Sequence, residues 1–163
     1  MACPELGGEP LERQRTRLLV PTGFHGDPPI VLALLSCDSA SMNVGPFSKW
    51  SVLGLYDRVL APALPVLHYV TVFAVLMDVR EPVTLTFRIT RPSDAPGSLG
   101  TLLGVAEIQT APLPGDTAQA WIATQLSLAE EGRYEIQLFG NEAYMAHKPF
   151  IVSTTNAAAP KED

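Results

Sequence analysis

The nine residues Val83–Arg91, VTLTFRITR, constrain the fold of this chain more tightly than any other stretch. Val83, Leu85, Phe87 and Ile89 alternate with Thr84, Thr86, Arg88 and Thr90. A period of two sends successive side chains to opposite faces, so this is a strand with one buried and one wet face. The preceding run, HYVTVFAVLMDV, is apolar and β-branched on both faces. It reads as a central strand covered from both sides. Between them VREP supplies a reversal, with Pro82 able to open a strand but not to sit inside one. The two strands are expected to pair as an antiparallel hairpin.

The rest of the chain repeats this pattern of short apolar segments separated by turn residues. PPIVLALLSCD, SKWSVLGLYD, TLLGVAEIQT and QAWIATQLSL read as further strands. GRYEIQLFG and AYMAHKPFIV follow, joined by a tight turn, and Pro149 in the second demands an edge or a bulge. In SKWSVLGLYD, Gly54 interrupts the row formed by Trp50, Val52 and Tyr56, which suggests a bulge or a close backbone approach. No segment carries a helical period and no βαβ alternation appears. The expected fold is an all-β antiparallel sandwich of about seven or eight strands, with a barrel as the alternative. The sequence EEGRY sharpens this to an immunoglobulin-like topology. There an acidic residue, Gly132 and Tyr134 precede the sixth strand, and the Tyr134 hydroxyl reaches back to upstream backbone.

Three regions follow: an irregular N-terminal extension over 1–29, a sandwich domain over 30–152 and a flexible C-terminal tail over 153–163. The chain has 163 residues, enough to bury a core without disulfides or metals. Hydrophobic residues at 47% against 17% charged favour a folded domain over disorder. A formal net charge of −6, with the 11 Lys and Arg scattered, argues against nucleic-acid binding. Two cysteines, Cys3 and Cys37, make neither a disulfide framework nor a zinc site and are expected as free thiols in a reducing compartment. The N-terminus lacks the basic and apolar pattern of a secretory signal, and no apolar run reaches the roughly 18 residues of a membrane helix. A soluble cytoplasmic protein is the expectation, with no membrane partner.

Motifs for chemistry are absent. The histidines His25, His68 and His147 stand apart, and no HExxH, CxxC, nucleophile elbow or phosphate loop occurs. Loop aspartates such as Asp94 and Asp116 are too scattered for a calcium site. The one unusual constellation is KWSVLGLYDRVLAPALPVLHYV, from Lys49 to Val70. Its strand is expected to run to about Tyr56 and to stop at Asp57 and Arg58. A stiff crossover through Pro62 and Pro65 then leads to His68. Neighbouring strand residues point to opposite faces, so Asp57 and Arg58 are not expected to pair with each other.

These residues resemble a family of small bacterial proteins known only as a domain of unknown function. The resemblance rests on LALLSCD, on the pattern from Lys49 through Gly54, Asp57, Arg58 and Pro65 to His68, and on the terminal hairpin GRYEIQLFGNEAYMAHKPFIV. It spans roughly Ile30 to Val152 and implies a single immunoglobulin-like sandwich with no assigned activity, cofactor or partner. The signature or structural candidates are therefore Asp38, Lys49, Gly54, Asp57, Arg58, Pro65, His68, Gly132 and Tyr134. No catalytic, cofactor-binding or metal residues are assigned. The leading expectation is a non-catalytic module for protein interaction or self-association. The alternatives are a small-ligand or metal-binding sandwich using the loops near Asp57, Arg58 and His68, or an enzyme whose site assembles from distant residues.

Overall fold

The computed structural model describes residues 23–43, 49–92 and 100–155, and these are almost wholly β. The strands are β1 (Ile30–Cys37), β2 (Ser39–Asn43), β3 (Lys49–Leu53), β4 (Arg58–Ala61) and β5 (Val66–Val79). They continue with β6 (Val83–Arg91), β7 (Thr101–Thr110), β8 (Leu113–Leu128), β9 (Gly132–Gly140) and β10 (Ala143–Thr154). One sheet has the order β1-β5-β8 and the other β4-β10-β9-β6-β7, with β2 and β3 forming a separate hairpin. The antiparallel sandwich is as expected, but with ten strands among the described residues instead of seven or eight. The N-terminal stretch before Gly23, Cys3 within it, and the residues 44–48, 93–99 and 156–163 lie outside the described residues.

The alternating pattern of β6 does what its period dictates. Val83, Leu85, Phe87 and Ile89 are all buried, and they meet Val70, Val72, Ala74 and Leu76 of β5 across the core. Ala120, Leu126, Ile136, Leu138, Phe150 and Val152 complete the packing. Phe24, upstream of the first strand, is also buried in this cluster. Two sheets so joined by interdigitated apolar side chains need no further crosslink.

The expected β5–β6 hairpin does not form. β5 pairs with β1 and β8, whereas β6 pairs with β7 and β9. The chain instead crosses from one sheet to the other at Arg80–Pro82. Asp78, in the left-handed region at φ 60, marks a bulge in β5 just before the crossing. Its carboxylate accepts from Arg80 at 2.6 Å, which fixes the turn's entry. A reversal signal specifies that the chain turns, not which sheet it joins next.

The β9–β10 hairpin is as expected. Asn141 and Glu142 both have positive φ (44° and 69°), the primed-turn geometry that matches the twist of the flanking strands. Asn141 also docks this turn on β6: its N–H donates to Thr84 O and its Oδ1 accepts from Thr84 N, both at 2.9 Å. Pro149 fits because the parallel ladder between β10 and β4 covers only Ile151–Thr154. At Pro149 one side of β10 is still unpaired, so no ladder bond is lost.

Candidate functional site

The stretch from Gly54 to Arg58 is a strap between the two sheets. β3 ends at Leu53, and Arg58 opens β4 on the opposite sheet. The expected strand to Tyr56 with a polar stop at Asp57 and Arg58 is therefore corrected: the chain changes sheets there. Its bonds show how. On one side Tyr56 N–H donates to Ser36 O at 3.1 Å, and the buried Ser36 hydroxyl donates back to Tyr56 O at 2.5 Å. On the other side Ile151 N–H donates to Asp57 O at 2.9 Å. Three bonds from Tyr56 and Asp57 thus tie β1 of the smaller sheet to β10 of the larger.

Gly54 makes the strap possible. Its φ is +65°, and a Cβ there would lie 1.9 Å from Asp38 Oδ2. Only glycine permits both the left-handed backbone and this approach. Asp38 in turn is held by its backbone: its N–H reaches Leu53 O and Gly54 O at 3.1 and 3.2 Å, and its carbonyl accepts from Thr71 Oγ1 at 3.2 Å. The expected close approach at Gly54 is thus realised, with the partner named.

Asp38, Gly54, Tyr56, Arg58 and His68 line one open cavity of about 270 Å³ beside the strap. Asp57 faces a neighbouring depression with Ser36 and Lys148. Arg58 is exposed and, among the described residues, its side chain makes no ion pair or hydrogen bond; the ion pairs there belong to Arg80, Arg91 and Arg133. His68 and Tyr56 pack edge to face with centroids 5.6 Å apart. His68 Nε2 and the Tyr56 hydroxyl are both buried without a hydrogen-bond partner. Each unmatched polar atom costs about 1–3 kcal/mol relative to a matched one.

The electrostatics keep these groups neutral. Burial lowers the pKa of His68, with Asp38 pulling the other way. Burial, then the charges of Asp38 and Cys37, push the Tyr56 hydroxyl well above its ordinary range. Burial and Asp38 likewise raise the Cys37 thiol, which also sits 3.6 Å from Thr71 O as a free cysteine. A thiol held protonated is a packing group. Among the described residues no cluster of three or more His, Cys, Asp or Glu could hold a metal ion.

The remaining candidates lie elsewhere. Lys49 opens β3 opposite Asn43 and is exposed; Pro65 follows a cis peptide in the crossover. Gly132 and Tyr134 stand at the start of β9. The Tyr134 hydroxyl donates to Glu130 O at 2.7 Å, and its buried ring stacks on Phe150 at 5.4 Å. Around it Arg91 pairs with Glu130, and Glu131 accepts from Thr154 N and Oγ1 at 2.6 and 2.5 Å. Those bonds hold the Glu131 carboxyl below its usual pKa. Sequence reading missed Ser36, Thr71 and Ile151, whose partners are visible only once the sheets meet.

Two sheets with the smaller ordered β1-β5-β8, the larger carrying β10-β9-β6-β7, and a tyrosine corner opening β9 define an immunoglobulin-like sandwich. Its first strand is divided between sheets as β1 and β4, with the β2–β3 hairpin inserted at the division. The chain matches a family of unknown function, DUF6941, over residues 32–153, and it belongs to that family. A solved structure of an immunoglobulin-like protein from Pseudomonas aeruginosa is similar over 78% of this chain and 98% of that one, at 13% identity and a TM-score of 0.33. A comparison with curated proteins finds no match. No helix among the described residues is long and apolar enough to cross a membrane.

Proposed function

We propose that this protein is a non-catalytic interaction module that self-associates through the outer face of its three-stranded sheet. The observation that carries this reading is the chemistry of that face. Tyr69 and Leu67 on β5 are 68% and 65% exposed, and Trp121 on β8, directly opposite Phe73, is 42% exposed. β1 has no charged residue, and β5 and β8 have only Asp78 and Asp116, both near the crossings.

A face almost free of charge that exposes Tyr, Trp and Leu side chains marks an association surface. Tyr and Trp are the side chains that dominate binding energy at protein interfaces. A second copy suits it because the face is almost free of charge on a chain of net charge −6. Two such faces can meet without bringing carboxylates together, and sheet-on-sheet stacking at about 10 Å is a standard packing. The free, buried Cys37 fits a reducing compartment, and we place the protein in the cytoplasm on that basis.

Light scattering during size-exclusion chromatography tests the reading. The expected result is a dimer that dissociates on dilution and is monomeric in Trp121→Glu and Tyr69→Lys, with unchanged far-ultraviolet circular dichroism. A wild-type chain that stays monomeric to its solubility limit overturns it.

A further inference from the structure

We infer that the cavity beside the Gly54–Arg58 strap is a binding site for a small zwitterion with an apolar body, of the kind a free aliphatic amino acid represents. The cavity brings an anion and a cation together without letting them neutralise each other. Asp38 and Arg58 both line it, yet no ion pair joins them, and neither side chain is engaged by another charged group among the described residues. An occupant carrying one charge would satisfy one of them and be repelled by the other. An occupant carrying both satisfies the pair.

The remaining walls fit the same ligand. The planar fork of Arg58 suits a carboxylate, and Asp38 suits an ammonium group. Leu55, Val59 and Leu60 supply an apolar wall, and about 270 Å³ accommodates an aliphatic amino acid but not a large cofactor. The geometry places this site at the sandwich edge, so it stands independently of association through the outer face of the smaller sheet.

Isothermal titration calorimetry of the full chain tests the inference with three probes: L-leucine, N-acetyl-L-leucine and L-leucine amide. The expected result is that L-leucine binds and that each singly charged analogue binds at least about tenfold more weakly. Arg58→Gln should cost at least about tenfold for L-leucine and N-acetyl-L-leucine but leave the amide unchanged. Asp38→Asn should cost as much for L-leucine and the amide but leave the acetylated form unchanged. Circular dichroism melts identify folded variants, and the three-probe pattern on the wild-type chain stands even if a variant fails to fold. No heat from L-leucine at millimolar concentration overturns the site. So does N-acetyl-L-leucine binding as tightly as L-leucine, because the cavity would then be an anion site on Arg58 alone.

Discussion

The outer faces of the two sheets differ in charge, although both belong to strands with buried inner faces. On the larger sheet the outward residues of β6 are Thr84, Thr86, Arg88 and Thr90. Arg88 lies over the Phe139 ring at 4.5 Å, Thr86 bonds Glu107, and Glu135 pairs with Arg133. On the smaller sheet the outward row of β5 is Leu67, Tyr69, Thr71, Phe73, Val75 and Met77. Phe73 is only 4% exposed because Trp50 of the inserted hairpin packs on it at 5.1 Å. The first face sets charged and polar groups among exposed Leu102, Val105 and Tyr144. The second is a partial core, covered at its centre by the protein's own β2–β3 hairpin and left open at Tyr69 and Trp121. The same strand architecture thus yields a charged wall on one side and an almost uncharged one on the other.

This contrast can be broken by substitution. The largest effect is expected for Phe73→Ala, which removes a buried aromatic from an outer face. Stability measured by urea denaturation should fall by about 3–5 kcal/mol. A loss below about 1 kcal/mol would mean that Trp50 does not cover it. Gly54→Ala should follow at about 1–3 kcal/mol, because the strap must hold a left-handed residue against Asp38. Tyr134→Phe removes one hydrogen bond at the corner and should cost about 0.5–1.5 kcal/mol. The smallest change is expected from Arg88→Ala on the polar face, about 0.5–1 kcal/mol for its cation–π contact. If Arg88→Ala proves as damaging as Phe73→Ala, the two faces are not different in kind.

Acidification gives a further check, with signs fixed by three shifted groups, His68 and the carboxylates Glu131 and Asp78. The folded pKa of His68 lies below its ordinary value of 6.5, so the unfolded chain takes up the proton first. Stability from this source is full above pH 6.5 and is lost as pH falls through that value toward the lowered one. Glu131 and Asp78 act at lower pH: their contributions are present above their ordinary values of 4.5 and 3.8 and disappear as pH falls through their depressed folded values. Melting temperature followed against pH should therefore fall in two stages. His68→Gln should flatten the first and leave the second.

Much of this architecture could be read from residues alone, and the exceptions share a cause. The inward row of β6 and the corner at Tyr134 follow from spacings of two and four residues, which are local. Gly54 announced a bulge or a close approach because it interrupts an apolar row. Pairing between sheets was not legible. Pro82 signals a turn whether the next strand joins its predecessor or crosses the core. Asp57 and Arg58 look like a strand's end because the partner that continues the chain, Ile151, lies at the other end of the sequence. The gathering of Asp38, Arg58 and His68 around one cavity was legible as a set of candidates but not as a place, since β1, β4 and β5 meet there only in the folded sandwich.

The divided first strand also has a mechanical consequence. β4 runs parallel to β10, the last strand, over Ile151–Thr154. Tension applied between the chain before β4 and the chain after β10 slides the two strands past each other. It therefore loads every bond of that ladder, and the Ile151–Asp57 bond beside it, at the same moment. An antiparallel terminal pair would open one bond at a time, like a zip. Here the sandwich resists being drawn out by its ends through a patch loaded in shear, whose position is set by Gly54 and the strap that follows it.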